Sequence, residues 1–295
     1  MKELDIDQLC RELQAVSQKL NLGQGEYQVV RLGNAWVFKN PTNKLIARIH
    51  IRDDDPVKIN QQLKLYTQLV ECGYPIIKPL LNEVATLKNQ QLVSFWPLGQ
   101  DNLTNLTSRT FVKLLTACHQ VQPQQDLTTW QTDAPKTKRL LQLDQAAKAG
   151  ADQEILKRLE SMFQKSQAEL ENYYQNQSFD KVIIHGDFYH GNIIKLDEHF
   201  KLCDLDYLSL GPKERDLATV YIDCHRYLKT NFWAEIIDNY PLAYDAKLLK
   251  YLIKVQEIGD CIFTAGLWGI NPTSHQEVRQ RLKHWHQEDF KWTDF

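Results

Sequence analysis

Apolar side chains recur at Ile6, Leu9, Leu13, Val16 and Leu20, three or four residues apart, and predict a helix from about Asp5 to Leu20. Asp5 followed three residues later by Gln8 is a capping-box pattern, and Gly23-Gln24-Gly25 stops the helix. The period then changes. Tyr27–Leu32, Ala35–Lys39 and Lys44–Ile51 are short and β-rich, split by Gly33-Asn34 and by Asn40-Pro41-Thr42-Asn43, and predict an antiparallel meander of three strands. A second helix follows Pro56 through Ile59, Leu63, Leu65, Tyr66 and Leu69 as far as Gly73-Tyr74-Pro75. Two more strands, 84–88 and 91–95, turn at Asn89-Gln90. Beyond this region the pattern is helical, with one exception at 182–203. The prediction is an α+β chain in two lobes: a β-rich lobe at 1–95, a connector at 96–99 and a larger helical lobe at 100–295.

Composition narrows the class without naming a function. Hydrophobic residues make up 43% and charged residues 24% of 295, an ordinary globular balance. With 35 Lys and Arg against 37 Asp and Glu the net charge is −2, which excludes a broad positive field for nucleic acid or an anionic membrane. Met1–Asp7 does not read as a secretory leader and no apolar run reaches membrane-spanning length, so a cytoplasmic protein is expected. Six cysteines lack metal-ligand spacing and read as reduced, mostly buried thiols.

The helical exception carries the chemistry. An apolar run, Val182-Ile183-Ile184, enters the polar loop His185-Gly186-Asp187-Phe188-Tyr189-His190-Gly191-Asn192 and leaves through Ile193-Ile194. Twelve residues past Asn192, Asp204 ends a second short apolar run, with Asp206 two residues on. A lone His-Gly-Asp would be an ordinary surface turn; Asn192 and Asp204 at these spacings turn it into a candidate site. Asp187 and Asn192, five apart, match the kinase catalytic loop, and Asp204 falls where the metal-binding Asp of D-F-G would. Mg²⁺ takes hard oxygen ligands, and Asp204 with Asn192 supplies one anionic and one neutral oxygen. Asp187 then accepts a hydrogen bond from an incoming hydroxyl, and His185 braces the loop.

His185-Gly-Asp187-Phe-Tyr-His-Gly-Asn192, with Asp204-Leu-Asp206 and Gly211-Pro-Lys-Glu-Arg-Asp216-Leu-Ala218, resembles the aminoglycoside phosphotransferase and choline kinase family. Tyr189 stands where that family commonly has histidine. The resemblance implies a protein-kinase-like two-lobed fold, Mg²⁺, ATP (or GTP) as donor, and transfer to a hydroxyl of a small molecule, in a monomer or homodimer. It implies catalytic roles for Asp187, Asn192 and His185, and metal ligation by Asn192 and Asp204 with Asp206 as a further candidate. In the β-rich lobe it puts Arg48 on the phosphates, where lysine is more usual, with Gln62 as its helix partner. Gly33 and Asn34 would cover the phosphates, and Phe95, Trp96 and Leu98 would border the adenine. Asp216 is expected to cap a helix and brace the catalytic loop.

Only about ten residues separate Asp204 from the helix near Arg215-Asp216, too few for the activation segment of a regulated protein kinase. The expected acceptor is therefore small: an aminoglycoside, or a metabolite such as choline, an amino alcohol, homoserine or a sugar. A catalytically inactive nucleotide-binding scaffold is the alternative of another class. Acidic, aromatic and basic residues are interleaved in the last third, so the acceptor cannot be read from charge there.

Overall fold

The computed structural model describes residues 5–32, 35–51, 55–100, 106–122, 127–132, 134–228, 230–271 and 273–285. The chain divides into two compact units, one formed by 1–105 with 193–203 and the other by 106–192 with 204–295.

The first unit is built on a five-stranded antiparallel sheet. Helix α1 (Ile6–Lys19) begins at Asp5, whose carboxylate accepts the Gln8 N–H at 2.8 Å. The Gln8 side chain donates to Glu12 instead of turning back, so one arm of the capping box is made. Strands β1 (Gln28–Leu32), β2 (Ala35–Asn40) and β3 (Leu45–His50) form the meander. Helix α2 (Pro56–Glu71) follows, and β4 (Ala85–Thr86) and β5 (Leu92–Pro97) complete the sheet in the order β1-β2-β3-β5-β4. Along β3, Leu45, Ala47 and Ile49 are buried while Ile46, Arg48 and His50 take the other face, as period-two alternation requires. Leu9 and Leu13 of α1 close the core over Phe38, Ala47, Ile49, Val93 and Phe95.

Strand β5 runs further than the sequence suggested. Ile46 pairs with Trp96 and Leu45 with Pro97, so half of the expected connector belongs to the sheet. The Leu98 N–H then donates to the Lys44 carbonyl at 2.8 Å. A hairpin of β7 (Ile193–Leu196) and β8 (His199–Leu202), which the sequence reading kept with the helical lobe, groups with this unit. Its backbone explains why: Leu202 N–H donates to Pro75 O at 2.8 Å, Ile77 N–H to Leu202 O at 2.9 Å, and Gln100 N–H to Lys195 O at 2.8 Å.

The second unit is mostly helical: α3 (Ser108–Gln120), α4 (Ala134–Lys148), α5 (Gln153–Gln175), α6 (Glu214–Ile222), α7 (Phe232–Asn239), α8 (Ala246–Gly266) and α9 (Ser274–Lys283). Helix α8 is its centre, packing on α4, α5, α6 and α9 with Leu248, Leu252, Ile258 and Ile262 buried. Strand β6 (Val182–Ile184) pairs with β9 (Ser209–Gly211), and Leu210 is held on its other side by the backbone of Thr128 and Trp130. The short stretch after Asp204 is thus pinned as a strand. Among the described residues, no helix is long and apolar enough to cross a membrane.

Candidate active site

Strand β6 delivers the chain into the loop 185–192, and a 3₁₀ turn at His190–Asn192 ends it. The loop has few backbone partners of its own, so two buried carboxylates from the following helix hold it. Asp216, fully buried in the first turn of α6, accepts the His185 N–H at 2.9 Å and the Gly186 N–H at 2.8 Å. It also faces His119 Nε2 at 3.1 Å, and His119 Nδ1 lies 2.7 Å from the Tyr240 hydroxyl. These contacts are satisfied when the Tyr240 hydroxyl donates to Nδ1 and Nε2–H donates to Asp216. Seven residues on, Asp223 opens a π-helical turn (Asp223–Tyr227); it accepts the His190 N–H at 2.8 Å and pairs with the His190 ring.

The sequence reading foresaw that Asp216 braces the loop, but not how. Lys213 is the N-cap of α6, and Asp216 makes no cap because its carboxylate is committed to the loop. His119 escaped that reading, as did the bracing roles of Asp223 and Tyr240, which it counted only among the acidic and aromatic residues of the last third. For Asp223 a signal existed: two acidic residues seven apart in the apolar run Leu217-Ala-Thr-Val-Tyr-Ile222 lie on one helix face.

The loop bends sharply at Gly186, where φ is +79° and a Cβ would sit 2.6 Å from the Tyr207 carbonyl oxygen. Gly186→Ala is therefore expected to lose about 2 kcal/mol or more, from the left-handed backbone and the clash together. Urea unfolding measures it; an unchanged midpoint would remove glycine's claim on this position.

Asn192 is nearly buried and donates its amide Nδ2 to Asp187 O at 2.9 Å and to Asp187 Oδ2 at 3.2 Å. Committing the amide nitrogen in this way leaves Asn192 Oδ1 as the donor oxygen. The Asp187 N–H in turn donates to His185 Nδ1 at 3.3 Å, and His185 is fully buried. Burial lifts the Asp187 carboxyl above the ordinary carboxylate range; the Asp204 charge adds to this, while His185, Arg215 and the Asn192 hydrogen bond oppose it. For Asp216 burial also acts upward, but the hydrogen bonds from His119 and from the His185 backbone outweigh it and hold that carboxyl low.

Asp204 follows β8 with φ at 59°, a left-handed conformation that Asp tolerates better than most residues. Leu205 beyond it is buried and Asp206 is exposed in the next turn. Among the described residues, no three His, Cys, Asp or Glu side chains cluster as a closed metal cage. Asn192 Oδ1 and the Asp204 carboxylate are oxygen donors only, a set suited to a hard cation that completes its shell with phosphate and water.

In the sheet unit, Arg48 stands on the face opposite the core, across from Ser94. His50 and Trp96 share that face, each placing a ring nitrogen 3.0 Å from Ser94 Oγ, and Tyr66 of α2 packs on Trp96. Phe95 does not join them. Strand alternation turns it the other way, fully buried in the core with Leu13 and Phe38. Gln62 is on the exposed side of α2, next to buried Leu63. The Leu98 N–H, bonded to Lys44, is already used within the sheet unit. Gly33 and Asn34 lie outside the described residues.

A β-sheet unit with two packed helices, a helical unit and a braced Asp187–Asn192 loop define a small-molecule kinase of the protein-kinase-like fold. The profile of the phosphotransferase enzyme family matches residues 32–251, and the chain belongs to that family. Solved structures agree in fold. A spectinomycin phosphotransferase bound to ADP and spectinomycin is 17% identical with a TM-score of 0.62, over 94% of this chain and 92% of that one. An amicoumacin kinase with AMP-PNP, Ca²⁺ and Ami is 12% identical with a TM-score of 0.63, over 92% of each chain. An aminoglycoside phosphotransferase of Streptomyces rimosus is 14% identical with a TM-score of 0.59, over 87% of this chain and 99% of that one. No curated protein matches by sequence.

Proposed function

We propose that the protein transfers the γ-phosphate of ATP, with Mg²⁺, to a hydroxyl of a small acceptor. The observation that carries this reading is the Asp187 carboxylate, held by the Asn192 amide through Oδ2 with Oδ1 left for an incoming hydroxyl. The acceptor oxygen forms a bond to the γ-phosphorus, the bond from that phosphorus to the bridging oxygen breaks, and ADP leaves. Asp187 orients the hydroxyl and takes its proton late, as suits a loose transition state. Its raised pKa makes it a better base than an exposed aspartate. Mg²⁺, when bound, neutralises the phosphate oxygens, and Asn192 and Asp204 are the residues that would hold it. His185 keeps the loop in shape, and Arg48 supplies the cation that grips the phosphates. The ADP and AMP-PNP in the neighbouring kinases support a nucleotide donor.

The test is nucleotide turnover with Mg²⁺ across aminoglycosides, amino alcohols, sugars and amino acids, run with ATP and with GTP. Stimulation by one acceptor class, with a phosphorylated product, supports the reading; absence of nucleotide binding would remove it. Asp204→Asn is expected to weaken nucleotide binding about tenfold or more in the presence of Mg²⁺ and little in its absence. Calorimetric titration with and without the metal checks this, and equal affinities for the two proteins with Mg²⁺ would reject Asp204 as a ligand.

A further inference from the structure

The helical unit carries a second set of charges around Asp187 that the phosphoryl transfer does not use. Arg139 of α4 crosses α8 at Gly259, where a Cβ would lie 2.9 Å from its Nε, so the glycine makes room for the guanidinium. Its Nη1 donates to Gln142 Oε1 at 3.0 Å, and its Nη2 stands 3.6 Å from Asp260 Oδ1, beyond hydrogen-bond distance. That Asp260 oxygen is already occupied by Gln256 Nε2 at 2.9 Å. Both side chains keep an opening to solvent, 13% of the surface for Arg139 and 19% for Asp260. Arg215, beside Asp216 on α6, buries its Nη1 with no hydrogen-bond partner among the described residues.

These groups share one electrostatic neighbourhood. Lys138, next to Arg139, sits over Tyr207, whose carbonyl oxygen lies against Gly186. Arg215 adjoins Asp216, which accepts the Gly186 N–H, so both arginines border the turn that carries Asp187. The charges of Arg215 and Asp187 act on one another's surroundings accordingly. Burial pushes the Asp260 carboxyl up to about 6 against the pull of Arg139, Arg281 and Arg215, so this one carboxylate does not offset the guanidinium groups around it. Guanidinium N–H groups that are largely buried and short of hydrogen-bond acceptors favour a planar anion that can bridge them. On the rim, the Lys138 ammonium lies 5.2 Å from the Tyr207 ring centroid and adds to the positive side.

We propose that the acceptor carries an anionic group, a carboxylate or a phosphate, which docks on Arg139 and Arg215 while its hydroxyl faces Asp187. This rests on the kinase reading and narrows its substrate class. An anion held by both arginines fixes the distance from that group to the reactive hydroxyl. A polycation entering the same place would meet two guanidinium groups beside the carboxylate that it needs.

Four probes separate the outcomes: glycerate, glycerol 3-phosphate, neutral glycerol and kanamycin as a polycation. Binding is measured by calorimetry on the full chain, with AMP-PNP and Mg²⁺ present and again without nucleotide, and turnover is followed in parallel. At least one anionic probe is expected to bind about tenfold or more tightly than glycerol. Arg139→Gln and Arg215→Gln should each remove that preference, and Arg139→Lys should restore part of it. Arg48→Gln should leave it in place, which separates this subsite from nucleotide phosphate binding. Glycerate ahead of glycerol 3-phosphate marks a carboxylate site, and the reverse order marks a phosphate site. If charged and neutral probes bind alike, or if kanamycin binds best and ignores both arginine substitutions, the anionic acceptor is overturned while the kinase reading stands. Failure to bind AMP-PNP counts against the kinase reading and is seen separately. Circular dichroism shows that each variant is folded; should Arg215→Gln unfold, Arg139→Gln decides.

Discussion

Replacing Asp187 by asparagine is expected to lower kcat by about 10³-fold, or roughly 4 kcal/mol of transition-state stabilisation, with nucleotide affinity within a few-fold of the parent. The amide keeps the shape of the carboxylate and an oxygen for the Asn192 contact, now 3.2 Å. It cannot accept the hydroxyl proton. Transient kinetics and calorimetry check the two halves of this expectation, and a parallel collapse of nucleotide affinity would place Asp187 among the nucleotide-binding groups. The parent enzyme should also lose kcat on the acid side. Asp187 must be ionised to act, and its carboxyl is raised, so activity climbs with pH through a value above the usual aspartate range. Asp187→Asn should flatten that limb.

The second large effect is on stability. Asp216 accepts from two backbone N–H groups and from His119 with none of its surface exposed. Asp216→Ala removes the acceptor and leaves all three donors buried, for an expected loss of about 3–5 kcal/mol. Guanidinium unfolding measures it, and a loss below about 1 kcal/mol would show that the loop holds itself. The pH dependence has a definite sign. The folded carboxyl lies below its unfolded value, so its contribution is fully present above the unfolded pKa near 3.8 and disappears as pH falls through the depressed folded value. Asp216→Ala should therefore flatten the acid side of the stability profile.

The loop at 185–192 was legible as a candidate site because Asp187 and Asn192, with Asp204 beyond them, stand at short fixed spacings between apolar runs, a pattern that needs no knowledge of distant contacts. The meander and first helices were legible for a different reason: their periods switch cleanly between 3.6 and 2. What stayed hidden depends on contacts that no local period encodes. His119 meets Asp216 across 97 residues of chain. Arg139 meets Asp260 across α4 and α8. Alternation alone told that Phe95 and Trp96 face opposite ways, but not which way; the pairing of Phe95 with Ala47 decides it. Likewise β5 extends through Pro97 because β3 offers partners at Ile46 and Leu45, which a window centred on 91–95 does not contain.

The hairpin at 193–203 gives the chain an order in time as well as in space. Pro75, Ile77 and Gln100 find their backbone partners in residues 195 and 202, so the sheet unit lacks part of its hydrogen bonding until more than two-thirds of the polypeptide has been made. A ribosome releases the chain from its N-terminus, and the segments around Pro75 and Gln100 must wait for a hairpin that emerges after α5. The two candidate metal ligands, Asn192 and Asp204, are the residues immediately before and after that excursion. Vectorial synthesis thus couples the completion of the sheet-containing unit to the arrival of the 185–192 loop: the candidate metal-binding pair flanks the same stretch of nascent chain that supplies the unit's last backbone partners.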